Sequence, residues 1–202
     1  AILEAVEASD RFCRFDEIAK VDVGIVTGAN KFFLVTDEVV ERHGLHEWAH
    51  PMFGRSDHCP GVIYDEAQHC NNAATGKPTN FLRLDPSVED CANGRAYIAL
   101  GENENLHTRY KCRIRKPWYT VPSVYATEVG MLKRSHDTPR LILNTVGAYT
   151  TDTAYRIRPL RGTAQGLVYS FFNSLTALSA ELEGRHYGGG VLELVPSEIE
   201  KQ

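Results

Sequence analysis

The order of strand-like and helix-like patterns is the feature that most constrains how this chain can fold. Alternating or short apolar runs, which are typical of β-strands, occur in residues 11–36, 109–115 (RYKCRIR), 139–144 (PRLILN) and 153–158 (TAYRIR). A helical spacing of apolar residues follows from about Ala164 to Glu183, and Gly184 would end that helix. Because no β–α–β–α alternation occurs, the sequence predicts an α+β fold in which strands precede one long C-terminal helix.

Turn and capping residues predict several shorter elements. Gly28-Ala29-Asn30 is typical of a tight turn in which Gly28 and Asn30 take positive φ. A helix is predicted to begin at Thr36 or Asp37 and to end at Gly44, and a strand is predicted in 60–66 (PGVIYDE). Asn93-Gly94 predicts a tight turn before a strand. Near the C-terminus we expect a turn at 188–190, a strand at 191–195 and a helical turn from Pro196. The rest of residues 46–80 is rich in His, Cys, Asn, Gly and Pro, and we expect it to be mostly irregular.

Composition is that of a globular domain. The 202 residues are enough for one sizeable domain, which we assign to residues 11–202, while residues 1–10 have the pattern of a remnant of a linker or helix. No apolar stretch approaches the roughly 18–20 residues of a membrane span. The five cysteines, an odd number without a CxxC pair, favour a reducing cytoplasm over a disulfide framework. We therefore expect a cytoplasmic protein with no membrane partner.

Charge is distributed unevenly along the chain. The net charge is −4, yet residues 109–161 hold eleven of the 22 Lys and Arg residues and only three of the 26 Asp and Glu residues. An asymmetry of this size favours an anionic partner for that segment. The alternative is a basic face that an acidic face of the same fold neutralises, and the charge count leaves both open.

The strongest local signal is RYKCRIRKPWY, residues 109–119. As a strand, it would place Arg109, Lys111, Arg113 and Arg115 on one face, with the residues between them buried. Successive charges would lie roughly 6.6 Å apart, close to the spacing of phosphates along a nucleic-acid backbone. Because four like charges on one face repel, this pattern favours a nucleic-acid surface over an edge neutralised by a neighbouring strand. Trp118 fits either a contact to sugars or bases or a buried anchor.

Motifs for catalysis or metal binding are absent from the sequence. GIVTGANK (24–31) has three residues between its glycines where a phosphate-binding loop has four, and Phe32 follows Lys31. Seven His and Cys residues lie between His43 and Cys70, but none has the spacing of a zinc site. No GxSxG motif occurs. The sequence therefore predicts neither catalytic residues nor a bound metal.

Four motifs, taken in order, resemble one family. They are VDVGIVTGANKFF (21–33), RYKCRIRKPWYTVP (109–122), PRLILNTVGAYTTDTAYRI (139–157) and GRHYGGGVLELVPSE (184–198). They resemble the C-terminal target recognition region of gamma-type adenine-N6 DNA methyltransferases from bacterial restriction–modification systems. The resemblance covers about residues 15–198 and implies a twisted, β-rich body beside helices, similar to the specificity modules of type I restriction systems.

The family's catalytic half is not visible in this sequence. In the family, an N-terminal domain binds S-adenosylmethionine and carries an Asn-Pro-Pro-aromatic motif, and the string NPP does not occur here. The resemblance implies a recognition domain without its own cofactor, whose residues 1–10 lead from an upstream catalytic domain that uses S-adenosylmethionine. Its implied partners are double-stranded DNA and that domain. We expect the isolated chain neither to bind S-adenosylmethionine tightly nor to methylate DNA.

The resemblance also implies functional positions. Asp152 matches the third motif. The glycines at 188–190 match the fourth motif, and the resemblance implies a packing role for them. With the basic residues of the second motif, the predicted DNA-contacting residues are Thr27, Asn30, Lys31, Arg109, Lys111, Arg113, Arg115, Lys116, Trp118, Tyr119, Asn144, Thr151 and Thr153. Two alternatives stay open: the recognition domain of a fused restriction endonuclease–methyltransferase, and a basic protein-interaction module that does not bind DNA.

Overall fold

The computed structural model describes residues 5–6, 8–9 and 11–202, and the predicted linker or helix remnant at 1–10 lies largely outside the described residues. The strands are β1 (Ala19–Val23), β2 (Leu34–Val35), β3 (Ala49–Phe53), β4 (Ile63–Tyr64), β5 (Asn80–Leu82), β6 (Val129–Leu132), β7 (Arg134–Ser135), β8 (Leu141–Asn144), β9 (Tyr149–Thr150), β10 (Ala154–Pro159), β11 (Arg185–Tyr187) and β12 (Val191–Glu193). The α-helices are α1 (Phe15–Ile18), α2 (Asn30–Phe33), α3 (Asp37–His43), α4 (Glu66–Ala74), α5 (Ala92–Asn103), α6 (Tyr110–Arg113), α7 (Ala164–Phe171), α8 (Ser174–Glu183) and α9 (Pro196–Ile199). Short 3-10 turns lie at 46–48, 56–58, 86–90 and 106–108.

These strands form three sheets. The largest has the order β1-β10-β6-β8-β4, antiparallel except between β8 and β4. A second sheet has the order β2-β5-β3-β9, in which only β3 and β9 run parallel. A small third sheet, β11-β12-β7, contains the C-terminal hairpin. The α+β class predicted from the sequence is confirmed.

The apolar side chains gather into two large cores. One lies between the five-stranded sheet and the C-terminal helices, and its buried members include Phe15, Val21, Met131, Ile157 and Leu167. The other lies around the four-stranded sheet and α5, and its buried members include Phe32, Phe33, Phe81, Tyr97 and Tyr119. Within the described residues, no helix has the length and apolar character needed to cross a bilayer.

Several predicted elements are confirmed. The strands predicted in PGVIYDE, PRLILN and TAYRIR are β4, β8 and β10, and all four residues of β8 are buried. The helix α3 ends at Gly44, which takes the left-handed conformation with φ 61°. The turn at 188–190 joins β11 to β12, with positive φ at Gly189 and Gly190, and Pro196 begins α9.

The prediction of one continuous C-terminal helix is wrong, because the segment forms two helices. It divides into α7 and α8, because the side chain of Asn173 accepts hydrogen bonds from the amides of Leu175 and Thr176 at 2.9 and 3.0 Å. This N-cap begins a new helix and breaks the helical periodicity. The apolar residues before the break are mostly buried, whereas Phe172, Leu178 and Leu182 are exposed.

The turn and strand predicted from Asn93-Gly94 are also wrong. These residues lie in the first turn of α5, where the sulfur of Cys91 accepts a hydrogen bond from the Gly94 amide at 3.2 Å. A Cβ at position 94 would overlap the carbonyl oxygen of Val88. The glycine therefore permits close packing of α5 against the preceding 3-10 turn and does not form a hairpin turn.

Two other segments contain helices that the sequence did not predict. Residues 11–36, predicted to be β-rich, include α1 and α2 as well as β1 and β2. Asn30 begins α2 and does not take the predicted positive φ, whereas Gly28 does. In the segment predicted to be irregular, α4 is capped by the Asp65 carboxylate, which accepts from the Gln68 amide at 2.9 Å.

Candidate nucleic-acid interface

Residues 24–30, the central loop, bring distant sequence motifs together. The amide of Ile25 donates to the carbonyl oxygen of Thr150 at 2.8 Å, which aligns the loop with the third motif. At the other end of the loop, Nδ2 of Asn30 donates to Oδ1 of Asp152 at 3.3 Å, across 122 residues of sequence. The first and third motifs therefore form one structural unit.

The second motif packs against the same loop through Arg115. Its Nη1 donates to the Thr27 carbonyl and its Nη2 to the Val26 carbonyl, each at 2.7 Å. Gly28 has φ 80°, and a Cβ there would lie 2.6 Å from Cβ of Lys111, so this position requires glycine. Burial lowers the pKa of Arg115 from its usual value, but the guanidinium remains charged at neutral pH. Arg115 thus holds the central loop in place.

The basic strand predicted at 109–115 is wrong. Residues 110–113 form α6, and Ile114 continues its helical conformation. Cys112 is fully buried, and burial raises the pKa of its thiol, while Tyr110 and Ile114 are exposed instead of buried as predicted. No strand within residues 11–202 lies beside this segment to complete a ladder, so a helical turn bonds its backbone amides internally.

Four predicted DNA-contacting residues are buried, namely Thr27, Tyr119, Asn144 and Thr151. The hydroxyl of Thr27 accepts from the Ala29 amide at 3.1 Å and donates to the side chain of Asn30. The hydroxyl of Tyr119 donates to the carboxylate of Glu89. These side chains shape the central loop and the core below it.

Asn144 and Thr151 hold the third motif in place. The Nδ2 group of Asn144 donates to the carbonyls of Thr127 and Ala148 at 2.8 Å, and its Oδ1 accepts from the Ala148 amide at 3.0 Å. The hydroxyls of Thr151 and Thr153 lie 3.0 Å apart, and that of Thr153 also donates to the Gly54 carbonyl. Their polar atoms are therefore already used within the fold.

Trp118 is a half-buried anchor, one of the two roles predicted for it. Its ring lies 5.3 Å from the ring of Phe32, centroid to centroid, and Nε1 donates to Oε1 of Glu102 at 3.3 Å. A Cβ at position 101, in α5, would lie 2.5 Å from the indole ring, so Gly101 allows the close contact. Trp118 fixes the chain that follows α6 to the helix α5.

The remaining basic residues of the second motif are exposed, and we call them the basic turn: Arg109, Lys111, Arg113 and Lys116. Among residues 11–202, none of them lies within ion-pair distance of a carboxylate. Lys133 and Arg134 differ, because both contact Glu193, at 3.1 and 2.6 Å. Neutralisation of basic residues by acidic residues of the same fold, the alternative left open by the sequence, therefore applies to Lys133 and Arg134 and not to the basic turn.

An open cleft of about 640 Å³ lies between the end of β1 and the basic turn. Lys111 and Lys116 line one side, and the exposed apolar side chains of Val23, Val26 and Ile114 also reach it. Among the described residues, no Asp or Glu lines this cleft. Its chemistry suits a ligand that is anionic and also offers an apolar surface.

Strands β1 and β10 extend this basic surface with the exposed Lys20 and Arg158, which no sequence motif identified, whereas Arg156 between them and the cleft is buried. Arg156 in β10 lines the cleft, and its strand neighbour on the same face, Arg158, is exposed directly opposite Lys20 of β1. Asp22, directly opposite Arg156 on the same face, supplies one negative charge among these three cations, so this face keeps a surplus of positive charge. The alternating pattern of TAYRIR identifies the strand, but only the register with β1 brings Lys20 to Arg158.

The His and Cys residues between His43 and Cys70 do not assemble into a metal site within the described residues. His69 instead shares a hydrogen bond of 2.9 Å with the hydroxyl of Tyr64, and the sulfur of Cys59 donates to backbone carbonyls at 3.4 Å. Burial raises the pKa of Cys59 to about 11, which keeps the thiol protonated and a poor metal ligand.

We predict that the purified protein carries no stoichiometric metal. The physical reason is that a structural zinc site needs four nitrogen or sulfur ligands in tetrahedral geometry, which the described residues do not bring together. Elemental analysis of the protein after dialysis is the measurement. One zinc per chain would contradict the prediction and make the His and Cys segment a structural site.

His58 is fully buried, and neither ring nitrogen has a hydrogen-bond partner among the described residues. Burial lowers its pKa to about 4, although the neighbouring Asp57 opposes the shift. The ring is therefore neutral in the folded protein at neutral pH. Below about pH 6.5, the unfolded chain binds a proton at this position that the folded chain does not bind.

We therefore predict that His58 makes the fold sensitive to acid. As the pH falls from about 6.5 to 4.5, the free energy of unfolding should drop by about 2 kcal/mol more in the native protein than in His58→Gln. Urea unfolding at a series of pH values measures this difference. His50, whose pKa is also lowered by burial, is present in both proteins and cancels. Equal pH dependence in the two proteins would show that His58 is not responsible.

Together these features define an α+β domain that presents exposed apolar side chains, and cations without a carboxylate partner among residues 11–202, beside a loop assembled from distant segments. A family model described as the C-terminal domain of the type II methyltransferase M.Eco57I matches residues 1–202. The chain belongs to this family, which confirms the resemblance predicted from the four motifs. Its residues 1–202 thus correspond to the C-terminal domain of a type II methyltransferase.

A comparison with solved structures supports the same α+β fold. The chain is similar to a part of the type IIG restriction endonuclease BpuSI, with a TM-score of 0.60 and 14% sequence identity. The similarity covers 98% of this chain and 25% of that one, so the chain spans about a quarter of the length of BpuSI. A comparison with curated proteins gives no match.

Proposed function

We propose that this chain recognises double-stranded DNA and holds it against a methyltransferase domain that lies outside the chain. Membership of the type II methyltransferase family supports this function. The observation that carries it is the basic turn, whose four exposed cations lack carboxylate partners among residues 11–202. Phosphates are the anions that such a group would contact, and these contacts would position the duplex without reading its sequence.

Base recognition requires other side chains, and we assign it to Asn30 and Asp152. Asn30 is exposed and Asp152 is half-buried, and their mutual hydrogen bond of 3.3 Å orders both side chains. Beyond its bonds to Thr27 and Asp152, the Asn30 amide keeps one N–H and one lone pair, which can pair with the N6 and N7 edge of adenine. An Asp carboxylate can accept from the amino group of cytosine. Lys31, next to Asn30 and exposed, would reach a neighbouring phosphate.

The parent reaction that we propose transfers a methyl group from S-adenosylmethionine to the exocyclic amine of adenine, with the base rotated out of the helix. The residues of this chain do not fit that cofactor. Among the described residues, its cleft presents four basic side chains and no carboxylate, so it repels a sulfonium cation and offers no acidic side chain to bind ribose hydroxyls. We therefore assign cofactor binding and methyl transfer to the proposed catalytic domain.

Two measurements test this function. Gel-shift titration of the chain with a duplex should show binding that weakens steeply with salt, as phosphate contacts require. Methylome sequencing of a host carrying the complete gene should reveal one N6-methyladenine motif. Binding to acidic proteins without binding to DNA would favour the protein-interaction alternative, and a modified base other than adenine would contradict the assigned specificity.

A second candidate function is recognition in a fused restriction endonuclease–methyltransferase. The similarity in fold to a part of BpuSI, a type IIG restriction endonuclease, favours it. The two candidates assign the same DNA-binding role to this chain and differ only in the rest of the polypeptide. Magnesium-dependent cleavage of a duplex by the full-length gene product distinguishes the fused enzyme from a methyltransferase alone.

A further inference from the structure

Helix α6 exposes apolar side chains that the proposed phosphate contacts do not explain. Tyr110 is 62% exposed and Ile114 is 61% exposed, whereas Cys112 between them is fully buried. Because Ile114 continues the helical conformation, the spacing of four residues places it beside Tyr110 on the outer face of the turn. The two side chains form a small apolar ridge, defined here as Tyr110 and Ile114.

The apolar ridge does not stand alone. Ile114 lines the open cleft together with Val23 and Val26, which are 47% and 37% exposed. Contiguous apolar surface of this kind favours a partner, since burying it releases roughly 25 cal/mol per Å². A partner that covers this position would bury these side chains best with an apolar surface of its own.

Charges around the ridge restrict the class of partner. The ammonium of Lys111 lies 5.7 Å from the centre of the Tyr110 ring, and the guanidinium carbon of Arg113 lies 5.5 Å from it. Both cations belong to the basic turn and have no carboxylate partner among residues 11–202. Duplex DNA offers the complementary combination, because its phosphates flank the apolar faces of its bases.

We propose that the apolar ridge contacts the bases of the duplex and opens one base step, with Ile114 as the wedge and Tyr110 stacked beside it. Lys111 and Arg113 hold the phosphates on either side. Proteins that open a base step in this way insert apolar side chains and spread the cost of unstacking over the phosphate contacts that the deformed duplex permits. The inference rests on the proposed DNA recognition and adds the residues that distort the DNA.

The test uses the full-length gene product and a duplex that contains its methylation motif, with 2-aminopurine placed singly at successive positions other than the methylated adenine. Native protein should raise the fluorescence several-fold at one step, where stacking is lost. Ile114→Ala and Tyr110→Ala should abolish the rise and weaken binding about tenfold, with the salt dependence of the affinity unchanged. Ile114→Met, which restores an apolar wedge, should recover most of the rise.

A matched control and three outcomes make the test decisive. Leu182→Ala removes a side chain of similar exposure from α8 and should change neither fluorescence nor affinity. If the DNA is bound but the Ile114 and Tyr110 variants keep the full fluorescence rise, the wedge is overturned and the proposed recognition stands. A duplex that is bound without any fluorescence rise also overturns the wedge. If the native protein does not bind the duplex, the proposed function itself fails.

Discussion

Replacing three residues of the basic turn, in the variant Lys111→Gln/Arg113→Gln/Lys116→Gln, should weaken duplex binding by about two orders of magnitude near 0.1 M salt. If each of these three residues neutralises one phosphate, the log–log salt slope of the variant should be less steep than the native slope by about 2.7. Raising the salt from about 50 to 200 mM should then weaken native binding roughly fortyfold more than variant binding. Titrations at several salt concentrations measure both slopes.

A charge-matched control separates local contacts from the effect of net charge. The variant Arg42→Gln/Arg185→Gln/Lys201→Gln also loses three positive charges, but each of these residues pairs with a glutamate in the fold. Its salt slope should equal the native slope. Equal slopes for the native protein and the basic-turn variant would show that this surface faces protein and not DNA.

Arg113 alone distinguishes phosphate contact from base reading. If it contacts a phosphate, Arg113→Ala should flatten the salt slope by about one unit for every duplex sequence. If it reads a guanine, the slope should change less, and discrimination at one base pair should fall by about 1–3 kcal/mol. The exposed position of Arg113 on α6 permits either contact, and competition between matched duplexes measures which one occurs.

The sequence predicted strands whose apolar pattern reflects packing on the faces of the sheet. Strand β8 is buried throughout because Leu141 and Leu143 pack in the core on one face, while Ile142 packs in a separate cluster on the other. RYKCRIR alternates as regularly as TAYRIR, which forms β10. Alternation does not reveal whether a partner strand exists, and none among residues 11–202 lies beside RYKCRIR. Helix α4 was missed for the opposite reason, since EAQHCNNAA has no apolar periodicity and depends on the cap at Asp65.

The candidate site could be predicted by motif but not by role. The motifs identified the segments that meet at the central loop, yet a motif does not show which of its polar side chains are buried. Thr27, Asn144 and Thr151 have side chains that read DNA bases when exposed, but here their polar groups hold loops together. Conversely, Lys20 and Arg158 become neighbours only through the register between β1 and β10.

Arg156 has the largest expected effect on the fold, because it is a buried charge whose two Nη groups donate to backbone carbonyls, although its Nε has no partner among the described residues. Its Nη1 donates to the Ser123 carbonyl at 2.7 Å and its Nη2 to the Val23 carbonyl at 2.6 Å. The guanidinium also lies 3.7 Å from the centre of the Tyr125 ring, and the Tyr125 hydroxyl donates to Asp22 at 2.9 Å. This side chain therefore joins β1, β10 and the segment that forms one wall of the cleft.

Arg156→Met should lower the free energy of unfolding by roughly 2–4 kcal/mol, since hydrogen bonds from a charged donor contribute about 1.5–3 kcal/mol each and the two carbonyls lose their partner. Urea denaturation measures the change through the transition midpoint. Arg158→Met, on the same strand but exposed, is the matched control and should change stability by less than about 0.5 kcal/mol. Because the cleft wall depends on Arg156, this variant should also weaken DNA binding, whereas Arg158→Met should only flatten the salt slope. Equal unfolding free energies for the two variants would show that the backbone contacts of Arg156 contribute nothing to the fold.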